Sequence, residues 1–217
     1  MTSQFAYKLF YEHRLPHYQP EGVVLFVTFR LAGSIPIAGL RELAAEADRV
    51  TATFQNVKDP DDRQARASLE QRRLFGRWDE ALHSSRSGPT WLREPAIAKV
   101  MADALIERDG KVYELHACCI MPNHVHVVFA PLAKPDGAYH SLVSIMHSLK
   151  RYTAREANLL LGREGQFWQH ESYDHVVRDE AEGVRIVAYV LNNPEKAGLS
   201  APRAAWPWLY SRDLQEE

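Results

Sequence analysis

Two histidines stand two residues apart in the stretch Ile120-Met-Pro-Asn-His-Val-His-Val-Val-Phe-Ala130. The apolar run around them predicts a strand, and side chains alternate between the two faces of a strand. We therefore expect His124 and His126 on one face, with Val125 directed into the core. Two imidazoles on a rigid element could hold a divalent metal ion, but histidines at this spacing also occur as polar residues of a solvated face. The pair alone leaves both interpretations open.

A second pair of chemically useful side chains lies in the last long helical pattern. Tyr189 and Asn193 are four residues apart and so share one helix face. Together with the histidines they form a candidate site of two imidazoles and one amide oxygen around a cation, with a phenol in reach. This set suits Mg²⁺ or Mn²⁺ with positions left for phosphate oxygens and water, and imidazole also accepts softer metals. Taken singly, Asn193 is equally explained as a helix end and Tyr189 as a packed aromatic.

Strands and helices are predicted in an order that could bring these groups together. An arm over residues 1–20 and a polar loop at 55–66 interrupt the regular pattern. The final helix is expected to end before Pro194, because the residue preceding a proline resists helical dihedrals. The predicted elements are strands at 23–31, 111–120, 123–130 and 171–177, and helices at 36–50, 69–82, about 94–109, 139–161 and 179–191.

This order predicts an α+β, ferredoxin-like fold with a four-stranded antiparallel sheet and packed helices. We expect a single domain over residues 1–217, with a helical insertion at about 37–108 after the first strand. The tail, about 195–217, contains Trp206 and Trp208 and is expected to cover an edge of the core.

Composition restricts the classes of function. The 217 residues suffice for a substantial core, and the net charge of −2 argues against nonspecific coating of duplex DNA. Cys118 and Cys119 are adjacent and predict neither a disulfide framework nor a zinc cluster. With no leader and no long apolar run apparent, we expect a cytoplasmic protein that does not span a membrane.

The helix that follows the histidine strand carries cations and one aromatic residue beside them. Lys150, Arg151 and Arg155 predict a local basic face that could bind single-stranded DNA. Tyr152 carries a second phenol, which could act as a nucleophile in place of that of Tyr189. Its register with Leu142 and Leu149 also fits simple packing, so a supporting role is expected. Cations on a helix are commonly just a solvated face, and that alternative stays open.

Several motifs, taken in order along most of the chain, resemble those of the REP-associated tyrosine transposases, relatives of the IS200-like single-tyrosine transposases within the HUH nucleases. The His-Val-His motif alone is weakly specific, but its combination with the segment around Tyr189 is specific. The segments are Phe26-Val-Thr-Phe-Arg-Leu-Ala-Gly-Ser34, Cys119-Ile-Met-Pro-Asn-His-Val-His126, His147-Ser-Leu-Lys-Arg-Tyr-Thr-Ala-Arg155, Gly165-Gln-Phe-Trp168, Tyr173-Asp-His175, Tyr189-Val-Leu-Asn-Asn-Pro194 and Lys196-Ala-Gly-Leu199.

The resemblance implies a role for each residue of the candidate site. His124 and His126 would be metal ligands, Asn193 the third ligand and Tyr189 the nucleophile. The implied reaction is transesterification on single-stranded DNA, which leaves a 5′-phosphotyrosyl enzyme and a free 3′-hydroxyl. The implied ligand is a hairpin of extragenic palindromic (REP-like) repeats, bound by a cytoplasmic protein that associates with the nucleoid. IS200-like relatives exchange the tyrosine helix within a dimer, so this chain is expected to be a monomer or a homodimer.

Two other functions fit the same residues. A ferredoxin-like sheet with exposed aromatics also binds single strands without any chemistry. A metal-dependent phosphoesterase would use water and leave the tyrosine incidental. The acceptor of the phenol proton is open, with His175 a candidate that is also compatible with a structural role.

Overall fold

The structure, a computed structural model, describes residues 22–54, 70, 73–83, 88–199 and 206–212. The arm and the polar loop predicted at residues 1–20 and 55–66 lie outside the described residues. The strands are β1 (Leu25–Leu31), β2 (Tyr113–Ile120), β3 (His124–Pro131), β4 (Trp168–Val176) and β5 (Leu209–Ser211). The helices are α1 (Ile37–Phe54), α2 (residues 73–83), α3 (Pro95–Ile106), α4 (Leu142–Leu160) and α5 (Glu180–Lys196), with a 3-10 turn at Trp91–Arg93.

The five strands form one antiparallel sheet in the order β4-β1-β3-β2-β5. β3 lies between β1 and β2, and β1 lies between β3 and β4, which is the split arrangement of a ferredoxin-like fold. The predicted α+β class is therefore confirmed, but the strand count was short by one. β5 has only three residues, and its pairing with β2 joins distant parts of the chain, so no local pattern indicates it.

The described residues fall into two compact units, one within Gly33–Gly88 and the other within His17–Ala32 and Pro89–Glu217. The first unit contains α1 and α2, which an ion pair between Glu46 and Arg77 connects. The second contains the whole sheet with α3, α4 and α5. α3 lay inside the predicted insertion, yet it packs with α4 and β2 as part of the sheet unit.

Alternation along the strands gives the sheet two different faces. On β1, the side chains of Leu25, Val27, Phe29 and Leu31 join the main apolar cluster, which also contains the buried residues of α3 and α4. We call this side of the sheet the core face. The intervening residues Phe26, Thr28 and Arg30 project from the opposite side, which we call the site face.

Helix α5 continues through Pro194 to Lys196, so the predicted end before this proline was wrong. Pro194 lacks the N–H that would reach the carbonyl of Val190, and its ring crowds that carbonyl, so the packing of this buried residue must offset both costs. The end is instead a Schellman motif: Gly198 has φ 67°, its N–H donates to Glu195 O, and the N–H of Leu199 donates to Pro194 O. Tyr189 and Asn193 therefore both lie in regular helix, one turn apart.

Among the helices that the structure describes, none combines the length and the apolar character that crossing a membrane requires.

Candidate active site

The two histidines of β3 lie on the site face with their ring planes nearly perpendicular, at 81° to each other. His124 and His126 are fully buried, and their Nε2 atoms are 2.9 Å apart. Two nitrogens that each lie about 2.1 Å from one ion, at right angles around it, would be about 3 Å apart. The pair therefore has a spacing that fits two ligands of a single divalent cation.

The outer nitrogen of each ring contacts an oxygen. Nδ1 of His126 lies 2.8 Å from Thr28 Oγ1, and Nδ1 of His124 lies 2.7 Å from Asn123 Oδ1. Metal-binding histidines are usually oriented in this way, by an oxygen on the nitrogen that does not face the metal. The oxygens fix the ring rotations, so both Nε2 atoms point to one place.

Tyr189 on α5 lies against this pair within the same chain. Its ring centroid is 5.8 Å from that of His126 at an interplanar angle of 76°. Phe26 on β1 stacks on His126 at 5.8 Å and meets the edge of Tyr189 at 6.1 Å. The tertiary structure thus brings the predicted nucleophile beside the predicted metal ligands.

Asn193 lies one turn beyond Tyr189 and is fully buried. Neither its amide oxygen nor its amide nitrogen has a hydrogen-bond partner among the described residues. The structure therefore does not join Asn193 to either imidazole by a hydrogen bond. A buried amide without a partner costs free energy, which a cation bound to its oxygen would offset. The donor set of two imidazoles and one amide oxygen fits a divalent metal.

Sequence reasoning missed four side chains around the site. Thr28 and Phe26 alternate with apolar residues on β1, and a polar residue between buried ones was the available signal for a second face. Tyr173 on β4 packs its ring edge 6.1 Å from Phe26. Lys196 places its ammonium 5.3 Å from the centroid of the Tyr189 ring. Arg185, one turn before Tyr189, is exposed.

The predicted basic face of α4 is divided by the structure. The Lys150 ammonium has three N–H donors to share among four oxygens: the carbonyls of Gln169, His170 and Glu171 at 3.1–3.3 Å, and Ser172 Oγ at 2.7 Å. Burial, and secondarily Arg30, lowers the pKa of Lys150 to about 8, although Glu171 opposes this shift. Lys150 therefore connects α4 to β4 and cannot bind a phosphate without losing these bonds.

The other three residues of that face remain at the surface. Arg151 and Arg155 are exposed, and Arg155 pairs with Glu156 at 2.6 Å. Tyr152 is 41% exposed, with the guanidinium of Arg108 5.5 Å from its ring centroid. The alternative interpretation from its register, that Tyr152 packs in the core, is therefore wrong. Because α4 packs on the core face, Tyr152 lies across the sheet from the histidine pair.

His175 is engaged in an anchor at the start of α5. Its Nε2 lies 3.3 Å from Glu182 Oε1, and Arg178 donates to both carboxylate oxygens of Glu182 at 2.6 and 3.0 Å. The side-chain hydrogen bond from Arg178 is the main reason why the pKa of Glu182 falls to about 2. Burial opposes this shift, whereas the backbone N–H of Arg178 and the charges of His175 and Arg178 add to it. This contact with Glu182 is a structural one. It agrees with the structural role that was left open for His175 beside acceptance of the phenol proton.

No protein-family model matches the chain. A curated protein named "Putative REP-associated tyrosine transposase", from Haemophilus influenzae strain Rd, is 25% identical over 111 residues. The match covers 48% of this chain and spans 63% of the length of that relative.

A solved structure of a REP-associated tyrosine transposase bound to a REP hairpin superposes with a TM-score of 0.49 and 16% identity, covering 91% of this chain and 82% of that one. By its sequence the chain is similar to a curated REP-associated tyrosine transposase, and the resemblance that its motifs predicted is confirmed.

Proposed function

We propose that this chain nicks and rejoins single-stranded DNA at hairpin-forming repeats, as a metal-dependent transposase or strand transferase with Tyr189 as its nucleophile. The observation that carries the proposal is the contact between the Tyr189 ring and His126, whose Nε2 lies 2.9 Å from that of His124. A phenol beside a preformed ligand pair is the arrangement that transesterification at a phosphate needs.

We assign each residue of the site a role that its position supports. His124, His126 and Asn193 would hold a divalent cation, Mg²⁺ or Mn²⁺, which when bound supplies Lewis-acid polarisation of the scissile phosphate. The Tyr189 oxygen attacks phosphorus, the bond to the 3′ oxygen breaks, and a 5′-phosphotyrosyl linkage and a free 3′-hydroxyl result. Attack by a 3′-hydroxyl on that linkage reverses the step and releases the tyrosine. Phosphodiester energy is conserved, so no nucleoside triphosphate is needed.

The aromatic cluster positions the nucleophile. Phe26 contacts both His126 and Tyr189, and this packing restricts the rotation of the phenol ring. The ammonium of Lys196 over that ring favours negative charge on the phenol oxygen as it reacts.

DNA outside the reacting segment is proposed to contact the exposed face of α4. Arg151 and Arg155 would approach phosphates, and Tyr152 offers a ring on which an unpaired base can stack. Lys150 would act indirectly, because its ammonium holds β4. The net charge of −2 argues against broad coating of duplexes. The contacts of the two arginines with phosphates would make binding weaken with added salt.

The test is the formation of a covalent adduct. Wild-type protein is incubated with end-labelled hairpin DNA carrying a single-stranded foot and Mn²⁺, then separated by denaturing electrophoresis. We expect a labelled protein band that disappears with Tyr189→Phe and persists with Tyr152→Phe, a matched change of an exposed tyrosine on α4.

Each of the other outcomes would favour a different function or a different nucleophile. Cleavage by Tyr189→Phe without an adduct would indicate a phosphoesterase that uses water. Tight binding of the hairpin by wild type with no cleavage would indicate a non-catalytic single-strand binding module. Loss of the adduct in Tyr152→Phe alone would move the nucleophile to α4.

A further inference from the structure

Arg163 lies just beyond the end of α4, and its guanidinium covers the ring of Trp91. The central carbon of the guanidinium is 4.0 Å from the centroid of that ring. Trp91 also stacks on Phe167, with 5.3 Å between the centroids and 24° between the planes. Phe167 is buried in the main apolar cluster. The cation is therefore mounted on an aromatic ring that the core holds in place.

Hydrogen bonds fix the direction of this guanidinium. Its Nη1 donates to Asn158 Oδ1 at 2.6 Å, and its Nη2 donates to the carbonyl of Gln166 at 3.2 Å. Asn158 is held in turn, because its Nδ2 donates to the carbonyl of Gly165 at 2.9 Å. The side chain of Arg163 is thus ordered before any ligand arrives, so that binding a ligand costs little conformational entropy.

The charge of Arg163 is not neutralised by the residues that fix it. Both acceptors are uncharged, and no carboxylate in the described part of the chain forms an ion pair with this guanidinium. A guanidinium has five N–H groups, and only two of these have a protein acceptor here, so the others are available to a ligand. Arg155, by contrast, is paired with Glu156. An oriented cation with spare donors is suited to binding an anion.

The position of this cation indicates which anion it meets. Asn158 lies three residues after Arg155, and Arg155 lies four residues after Arg151, so the three side chains follow one stripe of α4. Because Asn158 holds the guanidinium of Arg163, this third cation extends the stripe beyond the end of the helix. A row of separate cations matches the repeated phosphates of a nucleic-acid strand better than it matches one small anion.

We propose that Arg163, mounted on Trp91, binds a backbone phosphate of the DNA single strand and extends the DNA-contacting face of α4 to its C-terminal end. The inference rests on the proposed function, because it takes hairpin DNA with a single-stranded foot as the ligand. Trp91 is a positioning residue in this arrangement. No bond is made or broken at Arg163, which acts on binding alone.

The experiment measures DNA binding in EDTA, so that it depends on neither metal nor cleavage. Fluorescence anisotropy of a hairpin with a labelled single-stranded foot is recorded at several salt concentrations. For Arg163→Gln we expect the dissociation constant to rise about tenfold. The slope of log affinity against log salt should fall by about 0.7, because one phosphate contact with a single strand is lost.

Two further variants show whether the effect belongs to this guanidinium. Arg163→Lys keeps the charge but loses the planar fork, so it should keep the salt slope and lose part of the affinity. Arg49→Gln makes the same change at an exposed arginine of α1 and should leave both quantities unchanged. Melting temperatures establish that each variant is folded.

A second measurement locates the phosphate. Each linkage of the foot is replaced in turn by a neutral methylphosphonate. One replacement should weaken binding to wild type but have no further effect on Arg163→Gln, whereas a loop that the substitution merely disturbed would show no such position. In wild type alone, the NMR resonance of the Arg163 guanidinium should shift when the hairpin is added. It should not shift when that one linkage is neutral.

The outcomes separate this inference from the proposed function. An unchanged salt slope in Arg163→Gln, an equal loss in Arg49→Gln, or the absence of a linkage that depends on Arg163 overturns the inference and leaves the covalent chemistry at Tyr189 standing. Wild type that shows the linkage but forms no adduct with Mn²⁺ supports the phosphate contact and overturns the proposed nuclease. Wild type that does not bind the hairpin overturns both.

Discussion

The two faces of the sheet are built from the same strands, but they differ in the polarity of their buried side chains. On the core face, Val27 pairs with Val127 and Phe29 with Val125, and α3 and α4 cover them with apolar side chains. On the site face, Thr28 pairs with His126 and Arg30 with His124, and all four of these polar residues are buried.

The comparison shows how a polar site is held rigid. Val125 stands between the two histidines and is fixed by the core face, so the backbone that carries the imidazoles cannot shift without disturbing the apolar cluster. The core face contributes stability, whereas the site face carries buried polar groups whose cost that stability must exceed. Substitutions on the two faces should therefore differ in size and even in sign.

The largest effect is expected on the core face. Phe29 is fully buried and meets the edge of Trp168 with 4.8 Å between ring centroids. Phe29→Ala should lower the free energy of unfolding by about 3–5 kcal/mol, because it removes these contacts and leaves a cavity. Urea denaturation followed by circular dichroism measures this, with Phe26→Leu on the site face as the comparison. A larger loss for Phe26→Leu would contradict the division between the faces.

The anchor at the start of α5 should have the next largest effect. Glu182→Gln removes the charge that Arg178 and His175 contact, and we expect a loss of about 2–3 kcal/mol at pH 7. The pKa of Glu182 is depressed from 4.5 to about 2, so its stabilising contribution is complete above pH 4.5 and is lost as the pH falls toward 2.

Urea midpoints of wild type and Glu182→Gln at several pH values test this. The difference between the two proteins should shrink as the pH falls from 5 to 2. A difference that is constant over this range would show that the carboxylate charge is not what anchors the helix.

A substitution of Asn193 is expected to raise the free energy of unfolding rather than lower it. Asn193→Leu replaces a buried amide, both of whose polar atoms are without partners among the described residues, by an apolar group of similar size. In EDTA the free energy of unfolding should rise by about 1–2 kcal/mol, because no unpaired polar group stays buried. The same variant should lose the rise in melting temperature that Mn²⁺ gives wild type. Destabilisation in EDTA would mean that the amide serves the fold rather than a ligand.

The smallest effect is expected at the contact between α4 and β4. The pKa of Lys150 is lowered to about 8, so the unfolded chain binds the proton more tightly than the folded one between pH 8 and the ordinary value of 10.5. The contribution of this group to stability should therefore rise slightly as the pH increases through that window. Lys150→Met should remove this dependence on pH while costing the bonds to Ser172 and the β4 carbonyls. An unchanged pH profile in Lys150→Met would show that other groups cause it.

Much of this arrangement could be predicted from local patterns. The alternation around Val125 gave the shared face of His124 and His126, and a spacing of four gave the shared face of Tyr189 and Asn193. The strand β5 could not be found in this way, because a three-residue strand is defined by its partner. The continuation of α5 through Pro194 was also not predicted, because packing and the Schellman motif at Gly198 outweigh the local preference of proline.

By itself, the sequence of this protein determined which side chains share a face, because the periods of strands and helices are properties of the backbone. Only the tertiary structure decided which faces meet. It placed Tyr189 beside His126, gave Thr28 and Asn123 to the outer nitrogens of the imidazoles, and turned Lys150 away from the surface toward β4. Those contacts join residues up to about a hundred positions apart in the chain, and distances of that kind are set by the packing of the whole sheet rather than by any local pattern.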